Sequence, residues 1–137
     1  KVNYLAGFAI FTNGLARSFS NTMYHNLSPD AYLQSDNPNI IHLKKKEITW
    51  DGFFKTLPFN VLKDCLVTGT GETFCTTSEK RLKFFLNEVE APDLLDLEII
   101  NGDRALITYG DETEEEIKTQ FKHVVDPKNY LFIEIQN

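Results

Sequence analysis

Three features of the sequence point to an α+β fold: a mixed sheet packed on a short amphipathic helix, followed by a C-terminal helix and a final strand. The first is a strand over Val2 to Thr12 whose apolar residues fall on both faces. The second is a stripe of Trp50, Phe53, Phe54 and Leu57, spaced i, i+3, i+4 and i+7 as on one side of a helix. The third is a glycine-tipped ribbon running from Cys65 to Cys75. The 137 residues, 42% apolar and 25% charged, have the size and composition of an ordinary globular unit. No composition break divides them, so 1–137 reads as a single domain.

The elements follow in order. In the opening strand Val2, Tyr4, Phe8 and Ile10 lie against Leu5, Ala9 and Phe11, the pattern of an interior strand. Asn13-Gly14 is a hairpin turn, and Leu15–Phe19 returns antiparallel. Residues 20–39, rich in Ser, Asn, Asp and Pro, form an irregular excursion with at most one helical turn. Ile40–Lys46 is a short strand. Thr49 then caps the aromatic helix, with Asp51 in its first turn, and Pro58 ends it.

Arg81–Glu90 alternates as a strand, Ala91-Pro92-Asp93 opens a helical turn, and Arg104–Tyr109 is the next strand. Thr113-Glu114-Glu115-Glu116 is a capping box with three acids at the positive end of a second helix. Ile117, Phe121, Val124 and Val125 line one face of that helix. Asp126-Pro127 stops it, and Tyr130–Ile135 alternates as the final strand, placed beside the first. Residues 113–136 therefore supply the C-terminal helix and strand. A helix crossing between a leading hairpin and later strands is the layout of a β-grasp, or ubiquitin-like, domain.

Within the ribbon, Gly69 and Gly71 straddle Thr70, so Cys65 and Cys75 are equidistant from the tip and face each other. A non-hydrogen-bonded pair there brings the Cα atoms to about 4.5 Å, within disulfide range. The alternatives are a two-thiolate metal site and a pair of free thiols. Zinc, however, takes four ligands and there is no third cysteine, and the spacing is not that of a Cys-x-x-Cys redox pair. A structural disulfide is the expectation, and with it an oxidising compartment outside the cytosol.

The segments Ile48-Thr49-Trp50-Asp51-Gly52-Phe53-Phe54-Lys55-Thr56-Leu57, Lys63-Asp64-Cys65 and Thr70-Gly71-Glu72-Thr73-Phe74-Cys75 resemble an uncharacterised family of exported prokaryotic domains. Leu82–Asn87, Gly102–Gly110 and the acidic helix Asp111–Val125 continue the likeness, which spans residues 40–125. The resemblance implies an extracytoplasmic, often membrane-tethered domain and brings no established activity. Members carry several histidines in the first strand and in the strand before the helix, which implies metal binding. Here Ile40-Ile41-His42-Leu43-Lys44 has one histidine and Tyr4-Leu5-Ala6-Gly7-Phe8 none.

The 14 basic and 20 acidic side chains give a net charge of −6, the wrong sign for nucleic acid or an anionic membrane. The one basic run, Lys44-Lys45-Lys46, reads as an edge guard against strand addition. No apolar run approaches the roughly 18 residues of a membrane span. The chain begins at Lys1 without methionine, and the expectation is that a leader or anchor has been removed or that the sequence starts inside a longer one.

His25, His42 and Met23 are a candidate soft metal set suited to copper. Asn26-Leu27-Ser28 is a candidate glycosylation sequon. Ser18, Ser20, Ser28, Ser35 and Ser78 lie in no nucleophile elbow, and Asp111 to Glu116 lack the spacing of a calcium loop, so no enzyme and no cofactor are expected. The most suggestive feature left is Tyr130, Leu131, Phe132, Ile133 and Ile135, a segment able to join subunits by strand addition. The expected function is a non-enzymatic extracellular or cell-surface interaction module whose partner is itself, as a homo-oligomer or filament, or another surface protein. The alternative is a small exported copper- or zinc-binding protein.

Overall fold

A computed structural model of the protein describes residues 1–130. Their strands, in chain order, are β1 (Tyr4–Thr12), β2 (Leu15–Ala16), β3 (Ala31–Tyr32), β4 (Ile40–Leu43), β5 (Asn60–Val61), β6 (Cys65–Val67), β7 (Thr73–Cys75), β8 (Arg81–Leu86), β9 (Val89–Glu90) and β10 (Arg104–Gly110). The α-helices are α1 (Trp50–Phe54) and α2 (Glu114–Phe121), and 3-10 turns occupy Thr22–Tyr24 and Leu94–Asp96. A last helical turn spans 127–130.

The α+β class and the mixed sheet hold. The larger sheet runs β3-β4-β1-β10-β8-β9, with β2 also on β1, and the smaller runs β5-β6-β7. At its centre β1 and β10 are parallel, from Gly7 opposite Arg104 to Thr12 opposite Tyr109. The other edge of β1 is shared, β4 covering Tyr4–Gly7 and β2 covering Phe11–Thr12, both antiparallel. Among the described residues both edges of β1 are thus paired, and the final strand expected beside it lies, from Leu131 on, outside them.

The two-faced pattern of β1 has a direct cause. Ala6, Phe8 and Ile10 point into the main core with Trp50, Phe53 and Phe54 of α1, while Ala9 and Phe11 point to a second core. Phe8 meets the rings of Phe19, Phe53 and Phe54 edge-on at 5.2, 6.0 and 5.8 Å. Thr49 caps α1 as expected, its Oγ1 accepting from the Gly52 N–H at 2.9 Å. The helix is shorter than the stripe suggested, although Leu57 is buried beyond its end.

Helix α2 closes the second face. Thr113 and Glu116 form the expected capping box, and Ile117 and Phe121 pack on Phe11, Phe85 and Leu106. The Arg104 guanidinium donates to the carbonyls of Phe121 and Val124, at 3.3 and 2.8 Å, satisfying the helix's orphan acceptors. Beyond it the chain crosses β1 so closely that a Cβ on Gly7 would lie 2.1 Å from the Val125 carbonyl oxygen. Only glycine fits at that crossing.

Three expectations need correction. Arg81–Glu90 is a hairpin rather than one strand. Asn87 and Glu88 adopt φ of 52° and 71°, the two-residue turn that reverses β8 into β9. The returning strand after Asn13-Gly14 is only Leu15–Ala16. Finally, Asp126-Pro127 starts a helical turn instead of merely ending one. The Asp126 carboxylate accepts from the Lys128 N–H at 3.0 Å, a cap followed by proline at the first helical position. Tyr130 is thus helical and not the first residue of a strand, while Leu131, Phe132, Ile133 and Ile135 lie outside the described residues.

Candidate functional site

The disulfide is present. Cys65 and Cys75 are register partners across β6 and β7, with Cα atoms 4.1 Å apart. The Thr76 N–H bonds to the Asp64 carbonyl at 2.8 Å, which makes the cysteines a non-hydrogen-bonded pair, the arrangement read from the sequence. Leu66 between them is fully buried and pins the ribbon to the main core. The Tyr109 hydroxyl donates to the Cys75 carbonyl at 2.9 Å, tying the small sheet to β10.

The clipped ribbon stands beside β2. Between them runs a groove of about 510 Å³, walled by Leu15 to Ser18 on one side and by Thr68, Thr70 and Glu72 on the other. Its floor is Tyr24 and Phe59, and its rim carries Leu15, 63% exposed, and Met23, 38% exposed. Arg17 crosses the groove, paired to the Glu72 carboxylate, and its guanidinium stands 6.0 Å from the Phe74 ring centre. The hydrogen bond from Arg17 is the main reason the Glu72 carboxyl is held below its ordinary range. Sequence reasoning missed this surface, because Leu15 and Met23 are eight residues apart and meet only after the excursion folds back. The one available signal was a leucine directly after an Asn-Gly turn.

The predicted metal set is dispersed. His25 bridges Leu33 on one side of β3, whereas His42 pairs with Tyr32 on the other. The imidazoles are thus about two strand spacings, near 10 Å, apart at the backbone. His25 Nε2 is within 2.9 Å of the Phe19 carbonyl, and the buried His42 ring stacks on Tyr32 with Tyr130 edge-on. Met23 points to the groove instead. Among the described residues no three His, Cys, Asp or Glu side chains come together as a metal site. Asn26 is exposed, with φ of 54°, on the turn after the first 3-10 segment.

Tyr130 fastens the end of the described chain. Its ring packs with Leu5 and Ile40, and its hydroxyl donates to Asp36 Oδ2 at 2.6 Å. That hydrogen bond is the leading cause of a lowered Asp36 pKa. A carboxyl whose folded pKa is depressed stabilises above its unfolded value and loses that contribution as pH falls through the folded one. The Tyr130 ring NMR signals should therefore titrate with a midpoint below the ordinary aspartate value of about 3.9. They should lose that titration in Asp36→Asn. A midpoint at or above the ordinary value would refute the tether.

On the opposite face a second feature went unread. Lys83, in the middle of β8, and Glu112, before α2, form an ion pair at 2.7 Å with both side chains only 6% exposed. Lys83 Nζ also donates to the carbonyls of Gly110 and Arg81, at 3.0 and 3.2 Å. Its partners are three acceptors, one charged, so the ammonium is satisfied and fixes the segment entering α2. Nearby clefts lined by Asp111, Glu112 and Gln120 are polar and open.

Fold and site define a class: an α+β domain with a mixed sheet, a disulfide-clipped ribbon and an apolar-rimmed groove. No described helix is long and apolar enough to cross a membrane. Compared with protein-family models, curated proteins and solved structures, the chain finds no match.

Proposed function

We propose that the protein is a non-enzymatic interaction module of the cell surface or extracellular space, self-assembling by β-strand addition on a β-grasp-like frame. The observation that carries this reading is the groove beside β2, where Leu15 and Met23 expose apolar surface over a floor of Tyr24 and Phe59. Exposed apolar groups gathered on a groove mark a contact surface, whereas scattered ones do not. The disulfide supports an oxidising location, since such bonds persist mainly outside the cytosol. The parallel β1–β10 centre, with a hairpin partner on β1 and α1 on one face, supports the β-grasp frame.

Sedimentation equilibrium of the full chain tests the proposal. Weight-average mass should rise above the 15.7 kDa of one chain as concentration increases through the micromolar range. A mass that stays at one chain at every concentration removes the self-assembly reading.

A further inference from the structure

We propose that the cleft between α2 and the turn joining β1 to β2 binds a small ligand through its primary ammonium group. This cleft shares no lining residue with the groove beside β2, and ligand binding here is independent of self-assembly.

The way α2 sits on the sheet creates the cleft. Ile117 and Phe121 pack on Phe11, Phe85 and Leu106. Helical spacing then sets Glu116 and Gln120, four residues apart, along the side of α2 next to the Asn13-Gly14 turn. Asp111 and Lys80 complete the wall, and the space enclosed is about 510 Å³, the size of a small-molecule site. Phe11 and Gln120 are its most buried lining residues, at 5% and 6% exposure. The His123 ring stands edge-on to Phe11 at 5.9 Å.

Gln120 shows that something is needed there. Its side chain is more than nine-tenths buried, yet its Oε1 accepts no hydrogen bond from any described residue. A buried acceptor is rarely left so, because the lost hydration goes uncompensated, and it calls for an N–H or O–H donor. The surrounding charges specify the donor. Glu112 is already paired with Lys83. Glu116 commits one oxygen to the Thr113 N–H at 2.8 Å, and neither it nor Asp111 forms an ion pair among the described residues. Against these two carboxylates stands one lysine, Lys80, whose Nζ donates to the neutral Asn13 Oδ1 at 2.9 Å. The balance favours a cation. A metal ion fits poorly, since no three His, Cys, Asp or Glu side chains come together among the described residues to form its compact shell. A primary ammonium carries three N–H donors, which suit acceptors spread around a cleft. Gln120 Oε1 and the carboxylates of Asp111 and Glu116 are those acceptors, and the Phe11 ring offers apolar surface to the ligand's carbon chain.

The probe is n-butylamine, protonated at neutral pH, titrated into the full chain and followed by NMR. Saturable shifts should centre on the Gln120 side-chain amide, His123 and Phe11, with a dissociation constant of about 1–10 mM, the range open to so small a ligand. The uncharged n-butanol should bind at least tenfold more weakly. Asp111→Asn should weaken butylamine binding at least fivefold, and Gln120→Leu should abolish the saturable shifts. If Gln120→Leu fails to fold, Asp111→Asn, at an exposed position, and the alcohol still decide. A second titration, with 4-aminobutyrate, separates two sources of the ammonium. Tighter binding than the amine assigns Lys80 to a carboxylate and the site to an amino acid, whereas weaker binding assigns it to a plain amine. If water alone completes Gln120, neither amine nor alcohol shifts these signals and the proposal fails. Equal binding of amine and alcohol, shifts spread evenly over all surface carboxylates, or a folded Gln120→Leu chain that binds normally also overturns it.

Discussion

Replacing Glu112 by leucine should destabilise the protein by about 3–5 kcal/mol, and replacing Lys83 by methionine in the same chain should recover most of that loss. The single change leaves the Lys83 ammonium buried with only the Gly110 and Arg81 carbonyls for partners. The double change exchanges two desolvated ions for apolar side chains of similar size, which costs little once both charges are gone. Urea unfolding of the three variants reads the cycle, with unchanged slopes showing that the folded and unfolded states remain comparable. Single variants within 1 kcal/mol of the natural chain, or a double variant carrying the summed loss, would show that the pair is not buried as described. The consequence extends beyond stability, because Glu112 sets the start of α2. That helix and Arg104 position the segment that crosses Gly7 and leads to Tyr130.

Removing the disulfide, as Cys65→Ala with Cys75→Ala, should cost about 3 kcal/mol in the loop-entropy model. The ribbon needs the bond because the small sheet is made of strands of two or three residues each. Leu66, Val61, the Tyr109 hydroxyl and Arg17 hold it to the body, and between residues 65 and 75 the covalent clip is backed only by a three-residue ladder and the Thr68–Glu72 bonds at the tip. Thr68, Thr70 and Glu72 at its tip wall the groove, so loss of the bond should weaken the proposed self-association as well as stability. Thermal unfolding and sedimentation of the double variant measure both effects. A variant as stable and as associated as the natural chain would contradict this account of the ribbon.

Much of the fold is legible because the signals are local. Thr49 and Thr113-Glu116 announce their helices by capping chemistry, and the cysteine register follows from counting out from Thr70. The two-faced pattern of β1 marks it as interior without saying what lies beside it. Its parallel partner begins at Arg104, nearly a hundred residues on, and no local pattern encodes that pairing. Asp126-Pro127 misleads because the same dipeptide ends one helix and caps the next, and only the chain's direction after it separates the two. Lys83 looks like the polar position of an alternating strand. Its burial depends on Glu112, which is adjacent only across the folded sheet. The groove is hidden for the same reason, since the excursion over 20–39 contributes Met23 and Tyr24 through contacts that composition does not reveal. His25 and His42 are close in composition-based reasoning but are held apart by β3.

The covalent clip between Cys65 and Cys75 sets the ribbon's register and supports the proposed oxidising location. Alkylation of the untreated protein, isolated from its own cells without reductant and followed by intact-mass spectrometry, tests that directly. The prediction is a single species in which Cys65 and Cys75 take up no alkylating reagent until a reductant is added. Two thiols that react at once would contradict it.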